Sequence, residues 1–74
     1  MAIVRNFEPK ELERSSRHTE VEATLCLVEV DGEKFIQIDT YGSDARVIPG
    51  KVSQSLRLSQ TAFDQLKATA ENHF

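Results

Sequence analysis

The strongest constraint on this fold is a tight-turn dipeptide, Asp31-Gly32, which separates two stretches of alternating hydrophobicity. Residues 20–30 place Leu25 and Leu27 on one face, together with Val21 and Ala23, and residues 34–41 alternate in the same way. A period of two over five or more residues indicates a β-strand, and Asp-Gly between two such runs predicts a two-residue hairpin. The centre of the chain is therefore expected to be antiparallel sheet.

The segment after the hairpin predicts a third strand followed by a helix. Residues 51–58 alternate again, with Val52, Gln54, Leu56 and Leu58 on one face. Ser59 is a good N-cap, and the apolar residues that follow recur at spacings of three and four, which is typical of an amphipathic helix. These residues are Phe63, Leu66, Ala70 and Phe74. We expect a C-terminal helix over residues 59–73.

The N-terminal part of the chain predicts an arm or a short helix. Ile3, Val4 and Phe7 could form an extended piece that packs on the rest, and Pro9 suits the first turn of a helix. The prediction for the whole chain is a single α+β domain over residues 1–74. Residues 1–18 form the arm, residues 20–58 an antiparallel meander of three to four strands, and residues 59–73 the helix.

Length and composition limit the class of protein. A chain of 74 residues with one cysteine has no disulfide staple and no cysteine-based zinc framework, which favours a cytoplasmic protein. No apolar run approaches the roughly 20 residues of a membrane span, and we expect no signal peptide from the first residues. Because so short a chain buries only about 60% of its unfolded surface, we expect help from a partner.

Nothing in the sequence predicts catalysis. His18 and His73 lie in the arm and at the end of the helix, outside any nucleophile or metal-ligand spacing. Cys26 sits mid-strand among apolar neighbours, where a thiol usually packs as a small hydrophobe. Asp39 and Asp44 flank a turn, where acidic residues are common. We therefore expect no catalytic residue, metal site or cofactor, and no enzyme.

Binding is better supported by the pattern. One face of residues 34–41 mixes rings and polar groups, and one face of residues 51–58 is polar and basic. In neighbouring strands these rows lie on one side of a sheet, which suits single-stranded nucleic acid because bases stack on rings and cations meet phosphates. The candidate binding residues are Lys34, Phe35, Gln37, Tyr41, Arg46, Lys51, Ser53, Gln54 and Arg57.

Self-association is the second expectation. One short helix covers only part of one sheet face, so the apolar stripe of the helix is expected to pack on a partner helix as well as on its own sheet. The predicted dimer interface consists of Phe63, Leu66, Ala70 and Phe74.

Residues 30–70 resemble the transcriptional coactivator p15 family of single-stranded-DNA-binding proteins, including its small bacterial relatives. The matching elements are a strand ending in Tyr41, the Gly50-Lys51 pair, a strand of the form Leu-x-Leu-Ser ending at Ser59, and a helix with Phe63 and Leu66 three apart. The resemblance implies a homodimer whose curved sheets offer a groove to single strands and whose helices pack at the interface. The chain departs from the family at Asp39, where relatives often have a basic residue.

The chain also resembles short bacterial proteins labelled methionyl-tRNA formyltransferase-like, through QIDTYGS and GKVSQS. Seventy-four residues are too few for a folate site and a tRNA-acceptor site, so that activity is not carried over. The leading hypothesis is a homodimeric module that binds single-stranded DNA or RNA, as a regulator of transcription or DNA processing. The alternative is a protein-interaction module that binds no nucleic acid, and the formal charge of −3 leaves it open.

Overall fold

The computed structural model describes residues 1–42 and 51–74, which form four strands and one helix. The strands are β1 (Ala2–Val4), β2 (Ala23–Val30), β3 (Glu33–Tyr41) and β4 (Val52–Leu58), and the helix α1 spans Gln60–His73. The α+β class with a C-terminal helix is confirmed. In the described ranges no helix has the length and apolar character needed to cross a membrane.

The hairpin between β2 and β3 forms at the predicted dipeptide. Asp31 has a φ of 52° and Gly32 a φ of 81°. Positive φ at both central residues is what a type I′ turn requires, and its twist matches that of the flanking strands. Val30 pairs with Glu33, and the ladder continues to Ala23 opposite Thr40. The turn therefore fixes the register of both strands.

The sheet order is β1-β4-β3-β2, which differs from a pure meander at one edge. β1 pairs in parallel with β4, from Ala2 opposite Leu56 to Val4 opposite Leu58. The backbone N–H of Ser59 donates to the carbonyl of Val4 at 3.1 Å, which extends this pairing to the start of the helix. The expected extended piece at the N-terminus is thus an edge strand of the sheet.

Cross-strand register assigns each strand residue to one of two faces. Leu25, Ile38 and Leu56 stand in one row, and this side, which we call the apolar face, also carries Leu27, Ile36 and Leu58. Cys26, Gln37 and Arg57 stand in the neighbouring row on the other side, which we call the polar face. A register shift at Thr40/Tyr41 pairs Tyr41 with Val52 and leaves Ser53 as the additional residue of a bulge.

The helix begins at the predicted cap. Ser59 has an extended backbone, and its Oγ accepts a hydrogen bond from the N–H of Ala62 at 3.2 Å while donating to the carbonyl of Arg5 at 3.3 Å. One side chain therefore both starts α1 and ties it to the chain leaving β1.

Residues 5–22 contain neither strand nor helix, so the alternative of an arm describes this segment and the alternative of a short helix is wrong. Its first part lies along α1. Gln65 accepts a hydrogen bond from the backbone N–H of Phe7 at 2.8 Å and donates to Asn6 at 3.0 Å. All side chains from Arg5 to Leu25 are exposed, so the arm adds little to the core.

The core is small for a chain of this length. Among described residues the buried apolar side chains are Phe35, Leu58 and Ala62. The accessible surface is 6851 Å², whereas a folded monomer of 8.4 kDa exposes about 4,600 Å². The radius of gyration is 14.4 Å, against about 11 Å for a compact domain of this length. The exposed arm supplies part of this excess, and an uncovered apolar face supplies another part.

Candidate functional site

The polar face carries a continuous chain of hydrogen bonds across β3 and β4. Arg57 Nε donates to Gln37 Oε1 at 2.7 Å, and Gln37 Nε2 donates to Asp39 Oδ1 at 2.9 Å. Ser55 Oγ donates to the same Asp39 oxygen at 2.6 Å. Because Gln37 lies opposite Arg57 and Asp39 opposite Ser55, strand register alone brings these four side chains together. Each of them is held in place by its neighbour.

Asp39 is the acidic group of this hydrogen-bond network. Its side chain is nearly buried, with 9% of the residue exposed. Hydrogen bonds from Ser55 and then Gln37, helped by the positive charge of Arg57, lower the pKa of the Asp39 carboxyl. The carboxylate therefore stays ionised, and its charge is directed at donors of its own network.

Arg57 is the cation that the strands themselves contribute to the polar face. Its Nε is engaged by Gln37, and no acceptor among the described residues bonds its terminal Nη nitrogens. The residue is half-buried, so Gln37 fixes the plane of the guanidinium while its outer edge remains available. A fixed guanidinium edge suits a phosphate or carboxylate, because both can accept two parallel hydrogen bonds from it.

Tyr41 supplies the ring of the polar face. It closes β3 beside the bulge, is half-buried, and its hydroxyl lies 3.1 Å from Thr24 Oγ1 within hydrogen-bonding distance. The bond to β2 anchors the ring at one end. A half-buried ring held at its hydroxyl is the kind of platform on which a nucleobase stacks.

Phe35 is placed differently from the sequence-based expectation. Only 6% of this residue is exposed, and the guanidinium carbon of Arg5 lies 5.6 Å from the centroid of its ring. Arg5 is itself held by Glu33, with Nη1 2.6 Å from a carboxylate oxygen. The hydrogen bond between them lowers the pKa of Glu33 and raises the pKa of Arg5. A base cannot reach this ring, so Phe35 belongs to the core and not to a stacking surface.

The remaining candidate binding residues do not form one cluster. Lys34 and Gln54 belong to the apolar face, since they pair with Glu29 and Thr40. Ser53 is the extra residue of the bulge, and Lys51 is exposed just before β4. Arg46 lies outside the described residues, as does Asp44. The structure thus gathers Gln37, Tyr41 and Arg57 and separates the others.

The candidate catalytic side chains stay apart. His18 and His73 are exposed, and Cys26 is half-buried in the row of Gln37. Residues 1–42 and 51–74 contain no group of three or more His, Cys, Asp or Glu side chains that could hold a metal ion.

The helix stripe is partly used within the chain. Phe63 is half-buried beside Leu58 and Ile36, where it lines an open groove of about 430 Å³, and Leu66 faces Phe7 of the arm across a second groove. Ala70 is half-buried. Phe74 is fully exposed at the end of α1.

The most exposed apolar side chains of the sheet are Leu25 and Leu27 of β2, at 74% and 90% exposure. The sequence pattern places them on one face of the strand and does not by itself say that this face is exposed. The signal was present in the shortage of covering elements, because one helix of 14 residues cannot cover four strands.

Comparison of the chain with protein-family models, with curated proteins and with solved structures finds no match. Its function therefore has to be argued from the side chains of the two sheet faces.

Proposed function

We propose that the protein is a homodimeric module that binds single-stranded nucleic acid on its polar face. The observation that carries the proposal is the hydrogen-bonded chain from Arg57 through Gln37 to Asp39, with Tyr41 at the end of the same face. It combines a guanidinium edge, amide groups and a ring on one face of the sheet. Those are the groups that bind a phosphate, a base edge and a base plane.

The contact set is narrower than the sequence suggested. Arg57 and Lys51 neutralise phosphates, Tyr41 stacks a base, and Gln37 adds hydrogen bonds. Lys51 is included because it lies one residue before Val52, the residue that pairs with Tyr41, and therefore at the same end of the sheet as the ring. Phe35 is left out because Arg5 covers its ring, and Lys34 and Gln54 are left out because they belong to the opposite face.

Self-association is supported by surface area. The chain exposes roughly 2,200 Å² more than a compact monomer of its mass. A standard protein–protein interface takes about 800 Å² from each partner, so the excess, to which the exposed arm also contributes, is larger than one such contribution. Exposed leucines on the apolar face are suitable contacts, since burying them in a dimer leaves the polar face free for its ligand.

The experiment is a titration of fluorescently labelled single-stranded and duplex oligonucleotides of one sequence, followed by anisotropy at several salt concentrations. Lys51→Gln and Lys67→Gln form a matched pair, because each removes one exposed positive charge and only Lys51 lies at the Tyr41 end of the sheet. We expect the slope of log affinity against log salt to become shallower by about 0.7 for Lys51→Gln. Lys67→Gln, on the helix, should leave the slope unchanged.

The alternative is a protein-interaction module without a nucleic-acid ligand. The formal charge of −3 and the exposed leucines of β2 favour it. A dimer that shows no detectable binding at low salt would support this alternative and overturn the nucleic-acid proposal. Equal effects of Lys51→Gln and Lys67→Gln would show that binding is not localised on the polar face.

A further inference from the structure

The two edges of the sheet are unlike one another. β1, with three residues, forms one edge, and β2, with eight residues, forms the other. A short strand presents few open backbone groups, whereas a long and weakly charged strand is a ready template for pairing. Within β2 the single charged residue is Glu29, and the strand contains no proline. The described part of the chain places no strand beyond it.

The observed hydrogen bonds show which groups are open on that edge. The N–H of Tyr41 donates to the carbonyl of Glu22 at 3.0 Å. In an antiparallel ladder the bonded pairs alternate, so Thr24, Cys26 and Val28 also direct their backbone groups at β3. The hairpin gives the same assignment, because a two-residue turn closes on a hydrogen-bonded pair, here Val30 and Glu33, and Val30 is also even-numbered. The outward N–H and C=O groups therefore belong to the odd-numbered residues of β2, namely Ala23, Leu25, Leu27 and Glu29.

We infer that the β2 strands of two copies pair antiparallel about a two-fold axis at Cys26, which joins the two sheets into one of eight strands. This inference rests on the proposed homodimer and gives its geometry. If all four residues with outward groups, Ala23, Leu25, Leu27 and Glu29, bond to the same four residues of the second copy, only one register is possible. In that register Leu25 pairs with the second copy's Leu27. Ala23 then lies opposite the second copy's Glu29. Cys26 lies on the two-fold axis and faces Cys26 of the second copy.

Side-chain chemistry fits this register on the apolar face. The four leucines at positions 25 and 27 of the two copies form one cluster, made of the side chains that are 74% and 90% exposed in the single chain. Cross-strand apolar pairs of this kind stabilise sheets. The two Glu29 side chains lie opposite alanines about 20 Å apart, so no like charges meet.

The register also aligns the polar faces. Arg57, Gln37 and Cys26 occupy one row across β4, β3 and β2. Pairing at Cys26 extends this row into the second copy, where Cys26, Gln37 and Arg57 follow in that order. The two guanidinium groups then stand five strand spacings apart, about 24 Å, on the same side of one sheet. A single strand lying along this row meets a cation at each end.

The test uses Cys26 of the full chain as a reporter. Centred pairing makes Cys26 and its copy a non-hydrogen-bonded pair with Cα atoms about 4.5 Å apart, which a disulfide can span. Diamide takes two electrons and two protons from the two thiols, so that one S–S bond forms and diamide becomes the hydrazine. We expect a covalent dimer on non-reducing gels, reversed by dithiothreitol.

The matched control moves the thiol by two residues. In Cys26→Ser/Val28→Cys the new thiol lies four residues along the strand from its copy, about 13 Å away, so it should not crosslink. A second variant, Leu27→Lys, places a charge at a side chain that is 90% exposed, which leaves the fold of the single chain intact. We expect it to weaken the dimer at least tenfold in sedimentation equilibrium.

The outcomes separate the two proposals. A dimer that crosslinks at Cys26 and not at position 28 supports β2 pairing. A dimer in which Cys26 fails to crosslink, or crosslinks no better than position 28, overturns the pairing and leaves the homodimer standing. A monomer at micromolar concentration overturns both the pairing and the proposed homodimer, whatever its affinity for oligonucleotides.

Discussion

Tyr41 is the residue at which a structural role and a binding role can be separated most cleanly. Its hydroxyl bonds Thr24 at 3.1 Å, and its ring closes β3 on the polar face. Tyr41→Phe keeps the ring and loses the hydroxyl, whereas Tyr41→Ala loses both. Thr24→Val removes the same hydrogen bond from the other strand and leaves the tyrosine ring intact.

Stacking by the Tyr41 ring and hydrogen bonding by its hydroxyl are expected to contribute different free energies. A stacked base contributes about 1–3 kcal/mol, so Tyr41→Ala should weaken single-strand binding about 5- to 140-fold. The hydrogen bond contributes about 0.5–1.5 kcal/mol to folding, and its partly exposed position favours the lower end of that range. Tyr41→Phe and Thr24→Val should therefore lower the free energy of unfolding by similar, small amounts and change affinity less than threefold.

The assay combines anisotropy titration with urea unfolding on the same four proteins, at one protein concentration because dimerisation couples to stability. Affinity has to be compared at a temperature where circular dichroism shows every variant folded. The reasoning is refuted if Tyr41→Ala unfolds more easily but binds as tightly as the parent. It is equally refuted if Tyr41→Phe loses as much affinity as Tyr41→Ala, since the phenyl ring still stacks.

Three further predictions concern the fold that supports the site. Ser59→Ala should lower the free energy of unfolding by about 1 kcal/mol through loss of the cap on Ala62, and Ser59→Thr, which keeps a hydroxyl that can accept from Ala62 and donate to Arg5, should restore most of it in thermal melts. Leu58→Ala should cost about 2–5 kcal/mol, because this side chain is among the few that are buried, and urea midpoints will show whether the variant folds at all. The lowered pKa of Asp39 means that its contribution to stability is present above its ordinary value of 3.8 and is lost as the pH falls through the lower native value. Asp39→Asn should therefore flatten the acid limb of a stability–pH curve, and an unchanged limb would contradict the assignment.

Local chemistry explains which parts of the fold were predictable. The hairpin depends on two residues with positive φ, and the dipeptide Asp31-Gly32 predicts it from the sequence. The helix depends on Ser59, whose hydroxyl bonds an N–H three residues away. The grouping of Gln37 with Arg57 needed only alternation and one correct register. Each of these features is determined within a few residues of chain or by a single strand pairing.

Features that depend on distant contacts were not predictable. The parallel pairing of β1 with β4 joins Val4 to Leu58 across more than fifty residues, and no local pattern in so short a strand announces it. Phe35 alternates with Gln37 like a surface residue, but only 6% of it is exposed, and Arg5 from a distant part of the chain lies near its ring. The bulge that separates Ser53 from the row of Ser55 is likewise visible only once β3 and β4 are paired.

The acidic net charge is compatible with an anionic ligand because of where the acids are engaged. Charged strand residues of the polar face are Glu33, Asp39 and Arg57. Glu33 is paired with Arg5, and Asp39 is bonded by Gln37 and Ser55, so each carboxylate already faces a donor of the protein itself. Asp39 keeps its negative charge, because Gln37 and Ser55 are neutral donors, and it lies near Arg57. The outer edge of Arg57 is the positive group that these strands offer to an approaching phosphate. Screening limits an exposed charge to about a Debye length, roughly 8 Å at physiological salt, so acids elsewhere on the chain weigh little at this edge. Local arrangement and not the sum of −3 therefore decides whether the polar face attracts a phosphate.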